Sequence, residues 1–430
     1  MANVKGLRSP AVVLTACVLL NLTIQILYVW SLLRVELLAA GWTSTQAGLP
    51  FNLVLVFFAT GALIGGRLQD KFGPRWVAAA GGLMVGAGLI LSGVAGVGNP
   101  VGIALTFGVL TGLGIGFGYG SVLPCGLKWY HPSKKGLIGG MVLGGFALAS
   151  VIYAPITAAL LSNTTIENTF IYLGIGVAII SFIVAQFVQN PPSGFVPAEP
   201  KDLAKAAVTE APLDFDFKQM FKTRVFYLMF GTFALVASIG LMMIGNIAHI
   251  TNTQLLPDGA ATPFFGMAIG AFLISFVAVV NTAGRIAGGK LSDIIGRTET
   301  LLIAIVIQMI TMLLFIFFTS AWLLVLGFAL IGACFGVFLT MFPALTGDQF
   351  GLKNYGFNYG IMYMAYGVAG LLAPNIADIL SYQGNGVYNF ELTYYVCAAM
   401  MIVAIALTLL LRKSLIDRNK ELDAMRAQAK

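Results

Sequence analysis

Long apolar stretches alternate with short polar segments along almost the whole chain. About twelve of them reach the ~20 residues that an α-helix needs to cross a membrane. The first lacks a small-residue cleavage site after it, which indicates a retained span and not a signal peptide. We therefore predict an all-α membrane protein with twelve transmembrane helices, numbered here as spans 1 to 12. The stretches begin near Ala11, Gln46, Val77, Val101, Gly136, Phe170, Val225, Pro263, Thr300, Trp322, Gly356 and Thr393.

The longest polar segment, residues 191–224, divides these spans into two sets of six. Its proline-rich start and mixed charge are typical of a linker. We expect an N-terminal six-helix bundle at 1–190, a cytoplasmic linker at 191–224 and a C-terminal six-helix bundle at 225–412. Residues 413–430 are expected to form a cytoplasmic tail.

Composition and charge agree with a membrane protein. Hydrophobic residues make up 58% of the chain and charged residues 10%, against roughly 25% charged in soluble domains. The net charge is +7, and apart from Arg34 and Arg285 the basic residues follow even-numbered spans or lie at the termini. The positive-inside rule then predicts a multi-pass protein of the inner (plasma) membrane with both termini in the cytoplasm. This placement of charge argues against a nucleic-acid partner.

A glycine-rich loop sequence occurs twice, at the same place in each half. Residues 65–75 (GGRLQDKFGPR) follow span 2, and residues 288–297 (GGKLSDIIGR) follow span 8. Glycine permits a tight turn, and the aspartate can meet a basic residue or the N-terminus of a neighbouring helix. We expect both loops to close the cytoplasmic side. The candidate gate residues are Asp70, Arg75, Asp293 and Arg297.

Arg285 lies inside the apolar stretch of span 8. Its guanidinium cannot lose its charge, and a cation in a bilayer costs ~2.5 kcal/mol or more, so such residues tend to face a functional cavity. Asn281, four residues earlier, shares its helical face, and the two together suit a carboxylate. The alternative is an acid buried in another span, but all 17 acids lie in loops or at span ends. The sequence therefore predicts an anion site.

Several polar and aromatic side chains are candidates for the wall of that site. Span 1 carries a polar face that points inward, either to a cavity or to a neighbouring helix. The tyrosine among the glycines of span 4 is equally consistent with either role. The span 11 tyrosines form a stripe in which two lie deep enough to line a cavity, although packing is the alternative. These candidates are Asn21, Gln25 and Tyr28 in span 1, Tyr119 in span 4, Tyr359 and Tyr363 in span 11, and the apolar Phe146 and Phe335.

The paired loop sequence, the six-plus-six arrangement and the central linker resemble the major facilitator superfamily. That resemblance covers the whole chain and implies two bundles that rock around a site at the membrane midplane. Four shorter strings, at 28–32, 70–75, 281–297 and 350–356, are similar to the oxalate:formate antiporter family and its monocarboxylate transporter relatives. The resemblance implies that Tyr28 and Tyr119 contact a carboxylate ligand and that Arg285 is the essential arginine of span 8.

The departures from that family affect the expected substrate. Met362 stands where the oxalate exchanger has a second cation, a lysine in span 11. Phe335, Leu339 and Phe146 stand where its span 10 and span 5 aromatic residues enclose oxalate. One fixed charge and an apolar wall suit a monoanion, since a dianion would leave one charge uncompensated.

The proton acceptor is the second departure. Monocarboxylate carriers of the mammalian type have an aspartate four residues before the span 8 arginine, and here that residue is Asn281. His249 lies near the outer end of span 7, and histidine is the side chain that most readily gains or loses a proton near neutral pH, although a passive interfacial histidine is the other interpretation.

We therefore expect a secondary active transporter of small monocarboxylates such as lactate or pyruvate, coupled to protons and working by alternating access. The alternative is a carboxylate exchanger of the oxalate:formate type. Neither an enzyme nor a receptor is indicated, and the four cysteines form no metal-ligand pattern. We expect no cofactor or metal, and a monomer in the lipid bilayer.

Overall fold

The computed structural model describes residues 9–192, 194–197, 214–255, 262–265, 267–384 and 387–429, and these residues are almost entirely helical. Ten of the described helices are long and apolar enough to cross a membrane. The predicted all-α transmembrane fold is confirmed. Spans 2 to 12 contain the helices Ser44–Phe72, Pro74–Ala95, Gly112–Lys128, Lys135–Asn163, Ile166–Ala185, Arg224–Gly245, Ile269–Ile295, Arg297–Phe315, Ala321–Phe350, Tyr355–Ser381 and Glu391–Ala429.

Two spans depart from a continuous, regular α-helix. Span 1 consists of the helix Pro10–Ile24, a single 3-10 turn at Leu27–Val29 and a second helix at Trp30–Ala39. Span 4 begins with a short helix at Pro100–Ile103 and a π-helical segment at Ala104–Thr111. Irregular backbone at membrane depth is tolerated where it is buried in protein or lines a cavity.

Side chains and glycines at the ends fix where the helices begin and stop. Span 2 begins with a capping box between Thr43 and Gln46, which satisfies backbone N–H groups that lack an intrahelical partner. Gly73 (φ 82°) alone separates spans 2 and 3, and Gly296 (φ 104°) alone separates spans 8 and 9. A positive φ favours glycine, and this explains the glycine near the end of each repeated loop.

Three segments differ from the sequence expectations. The prediction that span 8 begins near Pro263 is wrong, because Pro263–Phe264 pairs antiparallel with Met267–Ala268 and the helix begins at Ile269. Span 7 stops at Gly245 and is followed by a separate short helix, Ile247–Gln254. The last helix, Glu391–Ala429, continues past residue 412, so no break in secondary structure marks the start of the predicted tail. A second small hairpin pairs Tyr382–Gly384 with Val387–Tyr388.

The two halves of the chain touch closely at the end of the helices that carries the repeated loops, called here the motif end. A Cβ atom built on Gly66 of span 2 would lie 2.1 Å from the carbonyl oxygen of Gly356 in span 11. On the other side, a Cβ on Gly136 of span 5 would lie 2.2 Å from the carbonyl oxygen of Gly289 in span 8. Only glycine allows backbones to approach this closely. The halves are therefore closed against each other at the motif end.

Candidate functional site

Arg285 lies between the two halves with its side chain 3% exposed. Its Nε donates to Asn281 Oδ1 at 2.9 Å, and its Nη1 donates to the carbonyl oxygen of Leu143 in span 5 at 3.0 Å. None of the described carboxylates forms an ion pair with it, and its Nη2 makes no hydrogen bond to a described residue. A buried charge without a counter-charge is costly, and a bound anion would offset that cost.

Asn281 fixes the direction of the guanidinium. Its Nδ2 donates to the carbonyl oxygen of Gly332 in span 10 at 3.1 Å, which leaves its Oδ1 to accept from Arg285. The two side chains share a helical face because they are four residues apart. Arg285 and Asn281 are therefore neighbours, as expected from their spacing. The backbones of span 5 and span 10 also contact these two side chains.

An aromatic cluster joins the two halves. The hydroxyl groups of Tyr119 in span 4 and Tyr359 in span 11 lie 3.1 Å apart. The Tyr119 ring also lies 4.9 Å from the Tyr363 ring and 5.3 Å from the Phe146 ring, centroid to centroid. All four side chains are buried. The structure thus brings together four of the residues that the sequence nominated.

Phe58 of span 2 also belongs to this cluster and was not among the residues predicted from the sequence. Its ring centroid lies 5.3 Å from Tyr119, 5.5 Å from Phe146 and 5.2 Å from Tyr363. The sequence could have indicated Phe58, because it lies three residues before Gly61 and so shares the helical face of span 2 that packs against span 4.

The remaining wall candidates have different surroundings. Phe335 packs against span 7, where a Cβ on Gly240 would lie 2.2 Å from its ring. Met362 is fully buried, and Leu339 is buried as well. Tyr28 belongs to the turn Leu27–Val29, but its side chain lies outside the described part of the structure.

His249 belongs to the short helix after span 7 and not to span 7 itself. Its side chain is exposed, and its ring lies 4.3 Å from the ring of Tyr388 in the second hairpin. No described contact joins it to Arg285 or to the aromatic cluster, so the structure does not bring the predicted proton-linked residue to the anion site.

The aspartates of the repeated loops contact helix N-termini across the two halves. Asp70 accepts from the backbone N–H groups of Gly356 at 3.3 Å and Phe357 at 3.0 Å. Asp293 accepts from the N–H groups of Gly136 and Leu137, both at 2.9 Å. A helix N-terminus presents free N–H groups and the positive end of the helix dipole, so both contacts are favourable for a carboxylate.

The two arginines of the repeated loops make different contacts. Arg297 forms ion pairs with Asp293 and with Asp348, the latter at 3.0 Å. Arg75 instead donates to the carbonyl oxygen of Gln186 at the end of span 6, at 3.0 Å. Of the two, Arg297 alone belongs to a described charge network between the halves.

An ion pair between the two halves was missed from the sequence. Lys135 at the start of span 5 is 3% exposed, and its Nζ lies 3.0 Å from Asp348 Oδ1 at the end of span 10. Lys135, Asp348, Arg297 and Asp293 therefore form one connected network at the motif end. The sequence gives no direct sign of this pair, because the two residues are 213 positions apart. The one available indication is that each of them lies at the end of a span.

Comparisons with known proteins agree with this architecture. A family model described as "Major Facilitator Superfamily" matches residues 11–280 and 261–428. The chain belongs to the major facilitator superfamily, and it is a multi-pass membrane transporter of that family.

Three relatives extend over most of the chain. It is 26% identical to the uncharacterised MFS-type transporter YhjX of Escherichia coli (strain K12), over 85% of this chain and 86% of that protein. It is 25% identical to the oxalate:formate antiporter of Oxalobacter formigenes, over 83% and 80%. It is 22% identical to monocarboxylate transporter 12 of Xenopus laevis, over 74% and 70%.

A solved structure supports the same fold. The human organic anion transporter MFSD10 (TETRAN) superposes with a TM-score of 0.69 at 13% identity, over 94% of this chain and 100% of that chain. At this identity the similarity concerns the fold alone.

The aspartate contacts predict a specific pattern of hydrogen exchange. The first N–H groups of a helix have no intrahelical acceptor, so exchange at Gly136 and Leu137 depends on Asp293. Asp293→Asn should increase exchange there by about tenfold, because a charge-assisted hydrogen bond is lost. Hydrogen–deuterium exchange with mass spectrometry measures this. Glu391→Gln, at the N-terminus of span 12, is the control and should leave these amides unchanged; unchanged exchange in Asp293→Asn would contradict the contact.

Proposed function

We propose that the protein is a secondary active transporter of small monocarboxylates, such as lactate or pyruvate, and that it moves them together with protons by alternating access. In this proposal the motif end and both termini face the cytoplasm, and the protein works as a monomer in the inner (plasma) membrane. The observation that carries the proposal is the buried Arg285, whose charge has no counter-charge among the described residues.

The position of Arg285 supports transport over simple binding. Its side chain belongs to the C-terminal half but donates to Leu143 in the N-terminal half. An anion that pairs with Arg285 would share the guanidinium with this contact and so alter the interaction between the halves. We propose that Tyr119, Tyr359, Tyr363, Phe146 and Phe58 line the space around the anion, with Tyr28 and Phe335 as further wall residues. The aspartates and Arg297 would hold the motif end closed.

The internal contacts of Arg285 favour symport over exchange. In a symporter the empty carrier must return across the membrane, whereas an exchanger returns only when loaded. Without substrate, the guanidinium still has Asn281 Oδ1 and the Leu143 carbonyl oxygen as acceptors. These bonds partly satisfy the cation, which makes the return of the empty carrier feasible. The likeness to the oxalate:formate antiporter keeps exchange as the alternative function.

The coupling can be tested by uptake of labelled lactate and pyruvate into proteoliposomes. Because a proton enters with the substrate, an acidic exterior should accelerate uptake and an uncoupler should abolish accumulation. Liposomes without protein provide the baseline for passive entry of the neutral acid. Uptake that requires a carboxylate inside and ignores the pH gradient would instead establish the exchanger.

The role of Arg285 can be tested with substitutions at that position. Arg285→Lys keeps the charge but loses the planar fork of donors. The affinity for lactate should fall about tenfold to a hundredfold, since a hydrogen bond to a charged group is worth about 1.5–3 kcal/mol. Arg412→Lys, at an exposed pair with Glu299, is the control and should bind normally. Near-normal lactate binding by Arg285→Lys and by Arg285→Gln would remove this residue from the mechanism.

The charge of the substrate can be tested at Met362, which is buried where the related exchanger has its second cation. One fixed charge should favour lactate over oxalate by at least roughly tenfold, a difference of ~1.4 kcal/mol. Met362→Lys should narrow or reverse this preference in competition assays, whereas the similarly sized Met362→Leu should keep it. Equal or tighter binding of oxalate by the unaltered protein would contradict a monocarboxylate substrate.

A further inference from the structure

Two amide side chains of span 1 carry buried polar atoms without a partner. Asn21 is fully buried, and its Nδ2 donates to the carbonyl oxygen of Val142 at 2.9 Å, but its Oδ1 has no hydrogen-bond partner. Gln25 is 1% exposed, and neither its Oε1 nor its Nε2 has a partner. Buried polar groups are nearly always satisfied in native proteins. Two such amides four residues apart on span 1 therefore leave hydrogen-bonding capacity that a ligand can satisfy.

These amides lie beside the anion site. Asn21 donates to Val142, and Arg285 donates to the next carbonyl along span 5, that of Leu143. Successive residues of a helix are about 1.5 Å apart along its axis, so Asn21 and Arg285 reach span 5 at nearly the same depth. Gln25 lies four residues after Asn21, as the residue that caps the end of this helix. It occupies the break of span 1, where Pro10–Ile24 ends.

The chemistry of the two amides complements that of Arg285. The Val142 carbonyl group can only accept, so it requires the NH₂ group of Asn21 and leaves Oδ1 as an acceptor. Arg285 offers donors alone. A ligand for the whole site must therefore supply an anion for Arg285 and a donor for Asn21. Gln25 can serve either as donor or as acceptor.

We propose that Asn21 and Gln25 bind the 2-hydroxyl group of a 2-hydroxy monocarboxylate whose carboxylate pairs with Arg285. This inference rests on the proposed function and narrows its substrate class. The hydroxyl group donates to Asn21 Oδ1, and its oxygen accepts from Gln25 Nε2. A 2-keto acid has no hydrogen to donate, and an unsubstituted acid such as propionate fills neither amide.

The test compares three acids of similar size on the purified full-length protein. Lactate, propionate and pyruvate differ at carbon 2, so their relative affinities isolate the contribution of the hydroxyl group. Lactate should bind at least about tenfold more tightly than propionate, because the site otherwise retains unsatisfied buried polar atoms. Pyruvate should bind more weakly than lactate. Binding is measured directly by isothermal titration calorimetry.

Matched substitutions connect this preference to span 1. Gln25→Leu and Asn21→Leu should bring the lactate-to-propionate ratio close to one while propionate affinity is retained, which also shows that the variants are folded. Gln308→Leu is the control, because Gln308 of span 9 is likewise buried with both amide atoms unpartnered. It should keep the preference of the unaltered protein. If Asn21→Leu does not fold, Gln25→Leu decides alone.

The outcomes separate this inference from the function on which it rests. Equal affinities for lactate and propionate in the unaltered protein would overturn the hydroxyl site while leaving a monocarboxylate carrier. An unchanged preference in Gln25→Leu and Asn21→Leu would do the same. If none of the three acids bound, both the inference and the proposed function would be overturned.

Discussion

The buried positive charge of Arg285 is the constraint on which the centre of the molecule depends. A guanidinium cannot become neutral to escape desolvation, so its surroundings must supply acceptors. Asn281 and the Leu143 carbonyl group supply two of them, one from each half of the chain. The amide of Asn281 is in turn held by Gly332 of span 10. Spans 5, 8 and 10 thus meet around one charge that lacks a counter-charge among the described residues.

The close approach at the motif end makes this arrangement possible. Gly140 of span 5 packs directly on the backbone of Arg285, since a Cβ there would lie 2.2 Å from the Arg285 carbonyl oxygen. The contacts of Asp70 and Asp293 with helix N-termini lie at the same end, on the two sides of the molecule. Charge–dipole contacts of this kind contribute modestly, which suits an interface that must separate during transport. We infer that closure of the motif end and the proposed anion site change together, as parts of one element with two states.

The sequence predicts the features that local patterns encode. Apolar length predicts the spans, and the spacing of Asn281 and Arg285 predicts their shared face. The repeated loop also predicts that an aspartate can reach a helix N-terminus. Contacts between distant segments cannot be predicted in this way. No local pattern marks the ion pair Lys135–Asp348, because only the tertiary fold brings the two residues together. The break at Gln25 is likewise hidden, since the apolar run of span 1 continues through it.

The most direct test of the central claim is an experimental structure of the protein determined with lactate bound. We predict that the lactate carboxylate lies within hydrogen-bond distance of Arg285 Nη2, between the aromatic cluster and span 8. An anion held elsewhere, with Arg285 still bonded only to Asn281 and Leu143, would contradict the claim that its unpaired charge binds the substrate.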